Sequence, residues 1–279
     1  MKAAQFDYIR PATLAEGLQL LGASHGTAKV MSGSQSLGPM LNLRLTRPKT
    51  VIDVTALPEM RDVTVIGNNI RIGGAVTHAE IEDGKFPVLR GSLLQQVAPG
   101  IAYRAIRNRG TVAGSLAHAD PAADWVLTMT ALAAQLELRS ANGTRMVPME
   151  RFMHGAYTTE LTEGELIAVV QVPALGRDAR WGYAKLCRKP GEFAEASCCA
   201  VFDAARSFAR VVIGALDGPP RALPTIASVV AQTGTLPPRE TIDAAVTAAS
   251  PGKDAVDRKL LVVAVRRCLE QVLGQEVLA

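Results

Sequence analysis

Two short stretches decide the reading of this chain: Ser32-Gly33-Ser34-Gln35-Ser36-Leu37 and Thr111-Val112-Ala113-Gly114-Ser115-Leu116. Each follows an extended segment and runs into a predicted helix. Small residues let backbone N–H groups approach an anion closely, and helix N-termini add a positive field. The pair therefore reads as two halves of a cradle for a diphosphate, needing no lysine. Either stretch alone would be weak evidence.

Around the first loop, residues 28–31 read as a short strand leading into it. Thr13-Leu14-Ala15-Glu16 fits a capping box that opens a helix with Leu14, Leu18 and Leu21 on one face, and Gly22 is placed to end it. Residues 50–54 form another buried strand, followed by a turn at Leu57-Pro58-Glu59. Residues 1–55 thus predict a small α/β subdomain.

Around the second loop, segments 63–66 and 70–73 flank Gly67-Asn68-Asn69, and segments 136–139 and 145–147 flank Asn142-Gly143, two hairpin signals. Helical patterns lie between them at 77–81, 87–97 and 121–134. The alternation predicts an α+β subdomain over 56–175. Pro, Gly and charges cluster at 173–180 and mark the boundary. Beyond it, 181–187, 196–204 and 208–216 read as three strands, and 242–249 and 254–273 as helices.

Composition narrows the class. The 279 residues are long enough for about two domains. No apolar run approaches the ~18 to 20 residues needed to span a bilayer, and the first residues lack a signal-peptide apolar block, so a soluble cytoplasmic protein is expected. The formal charge is +4 and the basic residues are dispersed, which argues against a nucleic-acid footprint. The densest group, Arg104-Ala105-Ile106-Arg107-Asn108-Arg109, reads as solvated surface or a subunit contact in preference to a phosphate-binding role.

Cys187, Cys198, Cys199 and Cys268 contain no Cys-x-x-Cys pair, so no iron–sulfur or zinc site is expected on this chain. Cys198 and Cys199 should point to opposite faces of a strand as reduced core residues. His25, His78, His118 and His154 share no metal-ligand spacing, and no metal is expected. Gly-x-Gly-x-x-Gly and Walker patterns are lacking, as is a Ser/His/Asp constellation. The chemistry must then come from a cofactor.

Several stretches together resemble the medium, FAD-binding subunit of molybdenum hydroxylases, the family of carbon monoxide, xanthine and N-heterocycle dehydrogenases. They are Phe6-Asp7-Tyr8-Ile9-Arg10-Pro11, the first loop, Leu41-Asn42-Leu43-Arg44, and the second loop with its tail Ala117-His118-Ala119-Asp120-Pro121-Ala122-Ala123-Asp124. Gly164-Glu165-Leu166-Ile167 and Lys185-Leu186-Cys187-Arg188-Lys189-Pro190-Gly191-Glu192-Phe193-Ala194 extend the resemblance over nearly the whole chain. The second loop with its Asp-Pro-x-x-Asp tail is the most specific piece. The implied fold is α+β: a two-subdomain FAD-binding domain (vanillyl-alcohol-oxidase/PCMH-like) over 1–175, then a C-terminal domain over 176–279 with a three-stranded antiparallel sheet and helices.

The resemblance also implies site residues. Val30, Met31, Ser32, Gly33, Ser34, Gln35, Ser36 and Leu37 would line one side of FAD, and Thr111, Val112, Ala113, Gly114 and Ser115 the other. Asp124 matches a carboxylate that accepts hydrogen bonds from the cofactor. Lys185 matches a lysine whose cation favours the electron-rich form. Ile101 and Leu166 match apolar positions near the cofactor, and Phe193 would cover the isoalloxazine ring. The family's second loop more often reads Thr-x-Gly-Gly-Asn. Ala113 and Ser115 depart from it, and alanine fits only if position 113 is not left-handed.

The implied partners are a large molybdopterin-binding subunit, where substrate is oxidised, and a small subunit with two-iron two-sulfur clusters. A dimer of heterotrimers and an external electron acceptor are expected. The rival readings are a free-standing FAD-dependent oxidoreductase with its own substrate pocket, and a scaffold that has lost FAD.

Overall fold

Three sheets organise the chain, which the computed structural model describes over residues 2–274. Met1 and positions 275–279, the end of the expected C-terminal domain, lie outside the described residues. The first sheet is parallel, ordered β1-β3-β2, with β1 Asp7–Ile9, β2 Ala28–Met31 and β3 Thr50–Asp53. The helix Leu14–Ala23 crosses between β1 and β2. The Thr13 hydroxyl accepts from the Glu16 N–H at 3.2 Å and opens it. Gly22 does not end this helix as expected. It continues to Ala23, and the chain turns out through the left-handed His25 and Gly26.

The second sheet is antiparallel, with β4 Val63–Ile66, β5 Asn69–Gly73, β6 Gln135–Ser140 and β7 Gly143–Pro148. A small hairpin of β8 Met153–Gly155 and β9 Thr158–Thr159 follows, and then β10 Leu166–Pro173. The order β4-β5-β10-β6-β7 places β10 at the centre. The near-continuous apolar run Leu-Ile-Ala-Val-Val suits a strand covered on both faces. Leu166, Ala168 and Val169 join Leu14, Leu18 and Ile52, whereas Ile167, Val170 and Val172 enter the main core. A register shift between Ile167 and Val169 accounts for the break in alternation.

The C-terminal sheet comprises β11 Arg180–Leu186, β12 Ala196–Asp203, β13 Phe208–Gly214 and β14 Arg221–Ala222, in that order. It is four-stranded, correcting the three expected. The added strand is two residues long, pairs with Val212 and Ile213, and is too short to leave a periodic signal. All eight residues of β12 are buried because the sheet is sandwiched. Cys199, Val201 and Val212 face the main core with the helix Asp124–Ala131; Cys198, Ala200 and Ile213 face the C-terminal helices. Cys198 and Cys199 thus point to opposite faces, both as free thiols. The helix Ala255–Val272 approaches β11 so closely that a Cβ on Gly182 would lie 2.0 Å from the Cys268 carbonyl oxygen.

The helix Asp124–Ala131 is buried on every side and ties the second and third sheets together. Its Trp125 indole N–H donates to His78 Nδ1 at 2.9 Å. Burial, with Arg107 nearby, holds the His78 imidazole down at about 3, so this side chain is neutral and accepts. The folded state thus binds fewer protons at His78 than the unfolded chain, whose histidine titrates near 6.5. That contribution to stability is complete above pH 6.5 and is lost as pH falls toward about 3. In acid unfolding titrations His78→Gln, which keeps an acceptor for Trp125, should show a shallower loss of stability across this window than the wild type.

Candidate functional site

The two loops are clasped against each other. Ser32 Oγ and Thr111 Oγ1 lie 2.9 Å apart. Gly33 is buried so tightly that a Cβ there would sit 2.2 Å from the Arg109 carbonyl oxygen and 2.7 Å from Gly110 Cα, so only glycine fits. The second loop spends its own donors on the fold. Val112 N–H bonds the Val76 carbonyl at 3.0 Å, Ala113 N–H the Gly74 carbonyl at 3.1 Å, and Gly114 N–H the Thr111 hydroxyl at 3.2 Å.

The first loop is different. The N–H groups of Gly33, Ser34, Gln35, Ser36 and Leu37 have no protein acceptor among the described residues. Ser34 is left-handed at φ 62°, and alternation of right- and left-handed residues turns successive N–H groups toward one point, a concavity that receives anions. The two loops therefore differ: the second spends its N–H groups within the fold, and the first leaves its own without a protein acceptor among the described residues. Val30 and Met31 end β2 half-buried at its entrance, and Leu37 opens the short helix Leu37–Asn42 at its exit.

Position 113 lies in the helix Val112–His118 with ordinary helical geometry. Its methyl group faces Gly74, where a Cβ would come within 2.9 Å, so a glycine opposite makes room for the alanine. Ser115 is half-buried one turn into the same helix.

A second group of side chains forms a wall. Asp124 begins the buried helix, and Lys185 reaches it from β11, with Nζ 3.0 Å from Oδ1 and 3.2 Å from Oδ2. The same ammonium donates to the Gly100 carbonyl at 3.1 Å. Ile101 follows, half-buried, and Ala102 is left-handed at φ 45°. Arg107 fixes both, donating to their carbonyls at 3.1 and 2.9 Å while making a two-pronged pair with Glu82 at 2.7 and 2.9 Å. Arg107 is therefore not solvated surface, as its basic cluster suggested. It is buried because its charge and all its contacts are met internally.

Phe193 is 63% exposed on the loop between β11 and β12. That loop is seated on the wall. A Cβ on Gly191 would lie 2.9 Å from Tyr103 and 3.0 Å from the Ala102 carbonyl oxygen. Of the expected site residues, the fold thus assembles the two loops, and groups Asp124, Lys185, Ile101 and the Phe193 loop. Leu166 is only 5% exposed and packs among Leu14, Leu18 and Leu21, so its side chain belongs to the core beneath. Tyr183 was missed: its hydroxyl donates to Asp124 Oδ1. Its place two residues before Lys185 on a strand was the available signal.

The sequence pattern described as FAD binding domain in molybdopterin dehydrogenase matches residues 4–175, and the chain belongs to that family. It is 36% identical over 197 residues to the carbon monoxide dehydrogenase medium chain of Hydrogenophaga pseudoflava, covering 71% of this chain and 69% of the other. It is 33% identical over 235 residues to the nicotine 6-hydroxylase medium subunit of Paenarthrobacter nicotinovorans, covering 82% and 81%. A solved carbon monoxide dehydrogenase from Hydrogenophaga pseudoflava superposes with TM-score 0.88 at 29% identity, covering 98% of this chain and 99% of that one. Quinoline 2-oxidoreductase from Pseudomonas putida 86 gives 0.85 at 28%, covering 98% and 99%. The chain is thus a medium-type subunit of an oxidoreductase, and its cofactor is FAD. Among the described residues no helix is long and apolar enough to cross a membrane.

Two substitutions separate the loops' roles. Gly33→Ala should prise them apart and, at the ~1 to 3 kcal/mol typical of overpacking, weaken FAD binding about tenfold or more in fluorescence titrations. Ala113→Gly should leave that affinity within about twofold. Its cost should fall on the fold, about 0.5 to 1 kcal/mol in denaturant unfolding.

Proposed function

We propose that this chain is the FAD-bearing electron-transfer subunit of a heterotrimeric molybdenum hydroxylase. It takes electrons from two-iron two-sulfur clusters on a small partner subunit and passes them to an external acceptor, while a large molybdopterin-binding subunit oxidises the substrate. The observation that supports this reading is the run of N–H groups at residues 33–37 without a protein acceptor among the described residues, clasped to the second loop through Ser32 and Thr111. Bound FAD supplies reversible one- and two-electron exchange.

This chain's residues do the holding and tuning. The N–H groups of 33–37 would hold the diphosphate, and Thr111 through Ser115 would brace the opposite side. Lys185, buried against Asp124, would place a positive charge where the ring gains electrons, at reduced dielectric screening. Arg107 would keep Ile101 and Ala102 in register, and Phe193 would close over the ring. Leu166 would act only from beneath. The complex is a dimer of such heterotrimers in the cytoplasm.

A free-standing oxidoreductase would need its own substrate pocket. Two concavities among the described residues, about 340 and 500 Å³, are lined by residues 179–181 with 271–274 and by residues between 145 and 160, and neither includes a site residue. The purified complex should show FAD bands near ~450 nm that bleach on adding its substrate, whereas the isolated, FAD-loaded chain should bleach only with a chemical reductant. Substrate bleaching of the isolated chain would contradict the proposal.

A further inference from the structure

The C-terminal sheet meets the FAD-binding domain through one face, to which β11, β12 and β13 all contribute. Trp181, Tyr183 and Lys185 alternate along β11 and leave it on the same side. Each donates across the boundary. Trp181 Nε1 bonds Gln96 Oε1 at 2.8 Å, the Tyr183 hydroxyl bonds Asp124 Oδ1, and Lys185 bonds Asp124 and the Gly100 carbonyl. On the opposite side of the strand, Gly182 and Ala184 pack against the C-terminal helix.

Tyr183 is held with unusual completeness. β11 is an edge strand, yet the backbone of Tyr183 is paired by a side chain: its N–H donates to Gln271 Oε1 and its carbonyl accepts from Gln271 Nε2, both at 3.0 Å. The amide imitates a neighbouring strand and fixes the direction in which the phenol leaves. Burial and the Asp124 charge push the phenol well above its usual range, so it stays a neutral donor. Asp124 then receives one hydrogen bond from Tyr183 and two contacts from Lys185.

We propose that Tyr183 is a positioning residue that sets how much of the Lys185 charge is available to the bound FAD, acting through Asp124. This rests on the functional reading above. By sharing the negative charge of Asp124, the Tyr183 hydroxyl leaves Lys185 less completely neutralised. Without it, the carboxylate draws the ammonium closer and presents more uncompensated negative charge at the wall. Both effects disfavour adding electrons nearby.

The test is spectroelectrochemical titration of FAD in the purified complex, with FAD content measured in parallel. Tyr183→Phe keeps the ring and the Gln271 pairing, because that pairing is to the backbone. It should move the FAD midpoint to more negative values by about tenfold in the equilibrium constant against a reference mediator, or about 30 mV for two electrons. Asp124→Asn removes the charge that neutralises Lys185 and should move the midpoint in the opposite direction, which keeps the idea testable if Tyr183→Phe folds poorly. Trp181→Phe breaks the neighbouring cross-boundary hydrogen bond without touching Asp124 and should leave the midpoint in place.

A Tyr183→Phe midpoint equal to wild type would overturn the inference. So would equal shifts from Tyr183→Phe and Trp181→Phe, since a purely structural role for the strand would produce them. If the wild-type complex holds no FAD in this chain, the functional reading itself fails, and the inference with it.

Discussion

The close approach of Gly33 to Arg109 and Gly110 is the contact on which the site depends. Where a side chain would collide at 2.2 Å, two segments almost eighty positions apart in sequence instead touch backbone to backbone. That contact lets the Ser32 and Thr111 hydroxyls meet, while the first loop's N–H groups find no protein acceptor among the described residues. Unpartnered amides cost free energy where water is excluded, so such a loop is suited to an anion that supplies the missing acceptors. The second loop can brace it because its own amides are anchored to Gly74 and Val76 at the end of the central sheet.

The remainder of the site is hung from two buried charges. Arg107, satisfied by Glu82 and by the carbonyls of Ile101 and Ala102, fixes a short segment that contains a left-handed alanine. Asp124, satisfied by Tyr183 and Lys185, joins the C-terminal sheet to the helix at the molecule's centre. Breaking either set strands a buried charge, which typically costs several kcal/mol, so both hold geometry firmly. The Phe193 loop rests on the first segment and springs from the strand that serves the second. The segment at Ile101–Ala102, the Phe193 loop and the Asp124 set are therefore coupled through a few contacts.

Much of this was legible in the sequence where local chemistry is strong. The strand entering the first loop, the two hairpins with their Gly-Asn and Asn-Gly turns, and the long C-terminal helix each carry their own signal. The central strand β10 leaves no strand signal of its own, because a short apolar run lacks the alternation that separates strand from buried helix. β14 and the helix Pro224–Thr233 were missed for related reasons: two residues have no period, and the helix has no side-chain cap at its start. The three-stranded expectation failed there.

At the site, glycine and serine spacing pointed to the loops, but the division of labour between them depends on which amides the fold consumes, and that is a tertiary fact. Arg107 reads as surface in any window of sequence, since Glu82 lies twenty-five positions away. Ala113 looked like a departure from the loop pattern. Its tolerance depends on Gly74, a residue outside the motif.

Whether backbone groups of the two clasped loops hold a diphosphate is read by titrating the cofactor-free chain with FAD and, separately, with FMN, following flavin fluorescence. FAD should bind tightly and FMN should bind more weakly by at least about a hundredfold, or about 2.7 kcal/mol, because FMN has the ring but lacks the diphosphate bridge. Equal affinity for the two would show that the ring pocket alone holds the cofactor and would contradict the cradle.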